Sequence, residues 1–310
     1  MKISTSAQFD RASTTMSKLQ NELATSQAQI SSQKQVLNPS DAPSQTATIL
    51  RINSLIDRQT SYGKTIDSLQ GRLDNENTTL SSASDVLIRI KELAIQASNG
   101  TQGVATRQII ATEMTGLRDQ LLSLANSTDT TGSYIFAGSQ VRTQPFKADS
   151  AGAVTYRGDQ TRMRVEIGEQ RTVPINRPGS SVFVRVVRNE SDGSTSGVGF
   201  FQAVDDLIAA VKTPSANGIS GMKRGLTEMD ALHQGLIMAQ ADAGTDMQVL
   251  AQQGVILDDT KLNLQTVLSN VKDLDMAAAL TQMQKQILSL EAAQSSFAKI
   301  SQLTLFSYLR

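Results

Sequence analysis

The chain's single histidine, His233, lies in "MDALHQGLIM", and the chain contains no cysteine. A histidine serves as a general base when a nucleophile and an orienting group stand beside it. Neither is recognisable around His233, which reads as a structural or solvent-facing side chain. The lack of cysteine removes disulfides, thiolate nucleophiles and zinc sites of the Cys/His type. Asp205-Asp206 and Asp258-Asp259 are adjacent carboxylates, but neighbours on a helix point apart and make poor metal clamps. Both pairs read as solvated helix faces. "SDGSTSGVG" is glycine-rich yet matches neither the phosphate-loop nor the dinucleotide pattern, and it reads as a loop. Asn77, Asn99, Asn126 and Asn189 each open an N-x-[ST] match, which chance makes common in a chain so rich in Ser and Thr. Arg157, Arg162, Arg164, Arg171, Arg185 and Arg188 recur in the middle of the chain with acidic residues between them. They read as a solvated strand face. No catalytic, cofactor-binding or metal-ligating set is expected, and the protein does not read as an enzyme.

Composition narrows the remaining classes. Lys plus Arg total 29 and Asp plus Glu total 29, so the formal net charge is zero, which disfavours a nucleic-acid partner. Aromatics make up 4% and Trp is absent, lean for a compact core but ample for long helices with narrow seams. The N-terminus, "MKISTSAQFDRASTTM", carries no apolar stretch or cleavage site of a secretory signal. No run of 18 apolar residues occurs, so no membrane insertion is expected. The 310 residues suffice for one to three domains.

The elements that carry these residues announce themselves by period. Phe9, Ala12, Met16, Leu19, Leu23, Ser26, Ile30, Gln33 and Leu37 alternate spacings of three and four, the seam of a coiled-coil helix. "LNPSDAP" breaks it, and a second helix restarts near Asp41 or Ser44, either a possible cap. Its seam runs from Ile66 through Leu73, Leu80 and Leu87 to Ala94, and a third helix follows on Ile110, Met114, Leu117, Leu121 and Leu124. From about Tyr134 to Phe200 short β-like runs replace helices, "VFVRVV" at 182–187 being the clearest. Helix returns with "FFQAVDDLIAAVK", breaks at "TPSANG", and continues to Val271. The last seam, Leu280, Met283, Ile287, Leu290, Gln294, Phe297 and Ser301, is out of phase with the one before, the slip falling at 272–279.

The expected fold is therefore mainly α with a β-rich insertion. The N- and C-terminal halves form an elongated coiled-coil or helical-bundle rod, and a small β-rich domain is inserted in the middle. Residues 1–40 and 275–310 are expected as terminal assembly segments, 41–135 and 200–274 as the rod, and 136–199 as an outward-facing variable domain. Toward Arg310 the apolar stripe widens beyond what one partner can cover, so the chain end is expected against other copies or neighbouring subunits. The expected contact residues are Phe9, Met16, Leu19, Leu23, Ile30 and Leu37 at one end. At the other they are Leu280, Met283, Ile287, Leu290, Phe297, Ile300, Leu303, Leu305, Phe306 and Leu309.

Several blocks resemble the flagellin superfamily, and its hook–filament junction members in particular. They are "MKIST" at 1–5, "ISSQKQVLNPSDAPSQT" at 30–46, "ASNGT" at 97–101, "GLRDQLLSLANSTDTTGSYIFAGSQVRTQPF" at 116–146 and "SFAKISQLTLFSYL" at 296–309. The "LANS…YIFAG" block is the most specific. Where the family usually carries a Gly-x-Arg element, Gln33 and Gln35 stand, and its acidic pair is reduced to Asp41 preceded by Ser40. The resemblance implies an extracellular protein of the bacterial flagellum, exported through the flagellar type III apparatus, whose terminal helices are disordered in the monomer and fold on assembly into a tube. It implies like subunits in that tube, the first hook-associated protein on the hook side, and flagellin and the filament cap on the distal side. It also implies a cytoplasmic export chaperone on the C-terminal helix. A short flagellin, or a secreted helical adhesin or tip protein, are the alternatives.

Overall fold

The computed structural model describes residues 2–100, 102–150, 152–189, 195–213 and 215–308. Among them are seven helices and six short strands, as the mainly-α expectation has it. The described fold divides into two units, residues 61–257 and residues 1–60 with 258–310, a division that falls inside two unbroken helices.

Helix α1 spans Lys2–Ser32. It ends five residues before the expected Leu37, because Gln33 turns left-handed at φ 56° and diverts the chain. The turn that follows is held by Asp41, whose Oδ2 accepts from the Asn38 backbone N–H and side-chain amide at 3.3 and 3.0 Å. Asp41 is thus occupied before α2 begins. Helix α2, Pro43–Ser98, starts with Pro in its first turn, where no N–H is needed, and Ala42 supplies the first accepting carbonyl. Neither expected cap, Asp41 nor Ser44, stands at that position.

Helix α3, Val104–Ala125, stops at Asn126. The Asn126 amide donates to the carbonyls of Leu122 and Phe146, and its oxygen accepts from the Phe146 N–H, each at 2.9 Å. This N-x-[ST] asparagine is a backbone clamp. Next, Asp129 Oδ1 gathers the N–H groups of Thr131 and Ser133, and the Thr131 hydroxyl.

Strands β1 (Phe146–Ala148) and β2 (Val154–Tyr156), β3 (Arg164–Gly168) and β4 (Arg171–Pro174), and β5 (Val186–Asn189) and β6 (Thr195–Val198) form three separate antiparallel hairpins. Between the second and third lies a helical turn, α4, Gly179–Val182. The expected strand over 182–187 therefore begins only at Val186. Val182 and Phe183 are consecutive and both buried, which a strand's alternation forbids when only one face is covered. Helices α5 (Phe200–Lys212) and α6 (Ala216–Lys272) follow, and α7 (Met276–Tyr308) ends the described chain.

The unit of residues 61–257 holds two apolar clusters. The larger joins α2, α3, α5 and α6 through Leu80, Leu87, Met114, Leu121, Leu207 and Met229, and takes in Phe136, Phe146, Phe183 and Val198 from the hairpin region. The rings of Phe136, Phe146, Tyr156, Phe183, Phe200 and Phe201 meet mostly edge to face at 5.1–5.5 Å. The smaller cluster sets Ile167 and Val173 of the second hairpin against Ile66, Leu69 and Leu73 of α2 and Leu250 and Leu257 of α6. The hairpins thus share their cores with the helices.

Candidate assembly surface

The residues singled out for chemistry serve as ties between elements. His233 Nε2 lies 2.9 Å from the Ser84 hydroxyl, joining α6 to α2. Asp205 holds Arg118 through both oxygens at 2.9 and 3.0 Å, and Asp206 holds Arg188 at 2.6 Å. Arg188, 8% exposed, also grips Glu228 at 2.7 and 2.8 Å. The solvated readings of Asp205, Asp206 and Arg188 are therefore corrected: these charges are paired across elements far apart in sequence. Arg177, which no motif singles out, pairs with buried Glu76 at 2.7 Å and with Asp246. Burial pushes the Glu76 carboxyl above its ordinary range, Arg177 opposing only in part, and burial likewise raises Asp246. Among the described residues no group of three or more His, Asp or Glu is placed to hold a metal ion, and no helix is long and apolar enough to cross a membrane.

The seam residues lie in the other unit, on α1 and α7. The two helices pair antiparallel, Phe9 meeting Phe297 edge to face at 5.4 Å and the Ser26 hydroxyl donating to Gln286 Oε1 at 2.8 Å. Phe9, Met16, Leu19, Leu23 and Ile30 are half-buried, at the three-and-four spacing. Leu37 is half-buried too, but off the helix. On α7, Met283, Ile287, Leu290 and Phe297 are half-buried, whereas Leu280 is 42% exposed. The inward stripe there is completed by Ala279, Gln286 and Ala293. The side chains of Ile300, Leu303, Leu305 and Phe306, and the whole of Leu309, lie outside the described residues.

Sequence reasoning missed how the two helix breaks are joined. Gln35 N–H donates to the Lys272 carbonyl at 2.9 Å, Leu274 N–H donates to the Gln33 carbonyl at 3.1 Å, and Lys34 bridges Asp273 in antiparallel fashion. Just beyond, Asp275 Oδ1 accepts from the N–H groups of Ala277 and Ala278 and starts α7. The phase slip at 272–279 is this break, and the "D-M-A-A" run carried the signal for its cap.

Burial in this unit is thin. Among the side chains described in this unit, those of residues 7, 9–60 and 258–299, only Ile52, Gln59 and Gln286 are buried. Leu50, Leu262 and Leu288 are 64, 62 and 67% exposed. Helices this long with so little cover present a surface that other chains can complete.

Residues 3–141 match the family model of the bacterial flagellin N-terminal helical region. The flagellar hook-associated protein 3 of Escherichia coli (strain K12) is 29% identical over 288 residues, spanning 90% of each chain. That of Salmonella typhimurium is 28% identical over 320 residues, spanning all of both. Among solved structures, the flagellar hook-associated protein 3 of Legionella pneumophila has a TM-score of 0.66 at 18% identity, covering 72% of this chain and 98% of its own. That last likeness bears on the fold.

Proposed function

From a chain similar end to end to flagellar hook-associated proteins 3, we propose that this protein is a structural component of the bacterial flagellum, an adaptor at the hook–filament junction. It assembles with like subunits into a tubular ring. The first hook-associated protein lies on the hook side, and flagellin and the filament cap on the distal side. The protein acts outside the cell after export through the flagellar type III apparatus, with a cytoplasmic chaperone covering its C-terminal helix beforehand. It performs no catalysis.

The observation that carries the mechanism is the contrast in burial. A pair of helices with half-covered seams gains from burial only a little more than the entropy of ordering them costs, so alone it holds one register but only marginally. Neighbours that cover Leu280 and Leu288, exposed in the isolated chain, widen that margin. Firm packing of the pair is then gained only at the growing end of the structure. Repeated head-to-tail contacts that do not close on themselves generate a helical tube. The seam residues of α1 and α7 are the contacts assigned to that process.

Deleting residues after about 280 should leave a folded, soluble chain that no longer joins hook to filament. In cells lacking their own copy, the deleted chain should be exported and fail to restore swimming. Restored swimming would sink the proposal. The match to the flagellin N-terminal region favours one second reading, a short flagellin. Growth of long filaments from the pure chain alone would select it.

A further inference from the structure

Gln286 is the one buried side chain among those described on α7, residues 276–299, 9% exposed, and it is an amide. It stands in the inward stripe, three residues after Met283 and four before Leu290. Its partner Ser26, half-buried, occupies the corresponding stripe of α1. Apolar side chains at both places would strengthen the pairing more than a hydroxyl and an amide do. A polar couple in the middle of a seam therefore calls for another account.

We propose that the Ser26–Gln286 couple fixes the register in which α7 pairs with α1. Register sets the axial level at which the outward Leu280 and Leu288 are presented beside α1, so the proposal rests on the assembly reading above. Apart from the single Phe9–Phe297 contact near the helix ends, the apolar seam is a poor ruler, because its repeat of seven residues brings one Leu or Met into the place of another. A slip of one heptad carries Gln286 from Ser26 to Leu19 in one direction and to Gln33, beyond the end of α1, in the other. In the first case the buried amide has no partner. In the second it leaves the helix pair. The backbone bonds at 33–35 and 272–274 resist a slip only weakly, since residues 33–35 are exposed and water replaces such bonds at little cost. A buried amide cannot be compensated that way. The native register should thus be favoured roughly 5- to 150-fold over the slipped one by this couple. A single polar pair that specifies register in a helix seam is a recognised device.

The chain has no cysteine, so the full chain with Thr15→Cys and Lys285→Cys, both at exposed positions, takes two spin labels cleanly. Electron–electron distances are then measured in three backgrounds, and thermal unfolding is followed by circular dichroism. The otherwise unsubstituted chain should give one distance. Gln286→Leu should raise the melting temperature and yet add a second distance, the helices being displaced by about 10 Å along their axes. Ser26→Ala should lower the melting temperature and add the same second population. A role in stability alone would move the melting temperatures and leave one distance in both variants, and that result overturns the proposal. A broad distribution in the unsubstituted chain overturns it as well, since no register is then held. Swimming restored by the doubly cysteine-substituted but unlabelled chain reports separately on assembly. Its failure would count against the junction reading while the distances still decide the register.

Discussion

The two units of this chain are built from the same kind of helix, and even share two of them, yet they are stabilised differently. Residues 61–257 contain both apolar clusters and the buried ion pairs Arg177–Glu76 and Arg188–Glu228. Among the side chains described in residues 7–60 and 258–299 of the other unit, three are buried, two of them glutamines. Composition does not separate the two units, since both are rich in Ser, Thr, Gln and Ala. What separates them is the presence of a third layer. In the first unit the hairpins and α5 cover faces of α2, α3 and α6, whereas in the second the seams of α1 and α7 stay half open. A helix pair without that cover is an unfinished core, which the proposed assembly would complete with residues of other molecules.

The largest effect should follow from breaking the first unit's buried charge set. Arg177 is the cation between Glu76, fully buried, and Asp246. Arg177→Met leaves both carboxylates unpaired and should cost about 3–5 kcal/mol at neutral pH, read from urea unfolding. The loss should shrink in acid. Burial raises both carboxyls above their ordinary range, Arg177 opposing in each case, so the folded state binds protons more readily than the unfolded chain does. The stability these protons contribute is greatest below the ordinary carboxylate range and is lost as pH rises through the raised values. Removing the cation raises those values further, so the variant recovers stability on acidification where its carboxyls are neutral. An equal loss at neutral and mildly acid pH would mean that Glu76 and Asp246 do not depend on Arg177's charge.

The comparison sharpens with one substitution made in each unit. Leu80→Ala empties a fully buried position and should cost about 2–5 kcal/mol. Leu23→Ala, half-buried on α1, should cost about 1 kcal/mol or less in the isolated chain. In swimming cells the order should reverse, because Leu23 belongs to the surface assigned to assembly. If Leu23→Ala matched Leu80→Ala in urea unfolding, the terminal pair would be a finished core and the contrast between the units would fail.

Most of the helical plan was readable from spacing alone. Helices over 104–125 and 200–212 coincide with the periodic runs, because a seam facing a core shows the period of the helix directly. The ion pairs were unreadable for a physical reason. Arg188 meets Glu228 forty residues away and Arg118 meets Asp205 eighty-seven away, and nothing local marks a charge that will be buried. Within the terminal pair, spacing places Met283, Leu290 and Phe297 on the inward stripe. It prefers Leu280 and Ile287 to Ala279 and Gln286, because a large apolar residue is the usual sign of burial. Gln286 escapes that sign, since its burial depends on a hydroxyl 260 residues away. The end of α1 escapes it too, and that end carries the smallest and most local test.

Among the described residues four have positive φ. Three, Gly132, Gly138 and Gly152, are glycines of the first unit, and the fourth is Gln33 of the second. At Gly138 the need is plain, since a Cβ would fall 2.0 Å from Asp159 Oδ1. At Gln33 a side chain is tolerated, but a left-handed conformation costs an L-residue about 1–2 kcal/mol. Gln33→Gly removes that cost and gives some of it back through a freer unfolded chain, for a net gain of roughly 0.5–1 kcal/mol. The gain should appear as two- to fivefold slower hydrogen exchange at the Gln35 and Leu274 amides, the two donors that join the helix breaks. The first unit should be unchanged. Exchange that stays the same would show that the left-handed turn at Gln33 carries no strain. Slower exchange with impaired swimming would show instead that the strain is used, keeping the join between α1 and α7 loose until neighbours arrive.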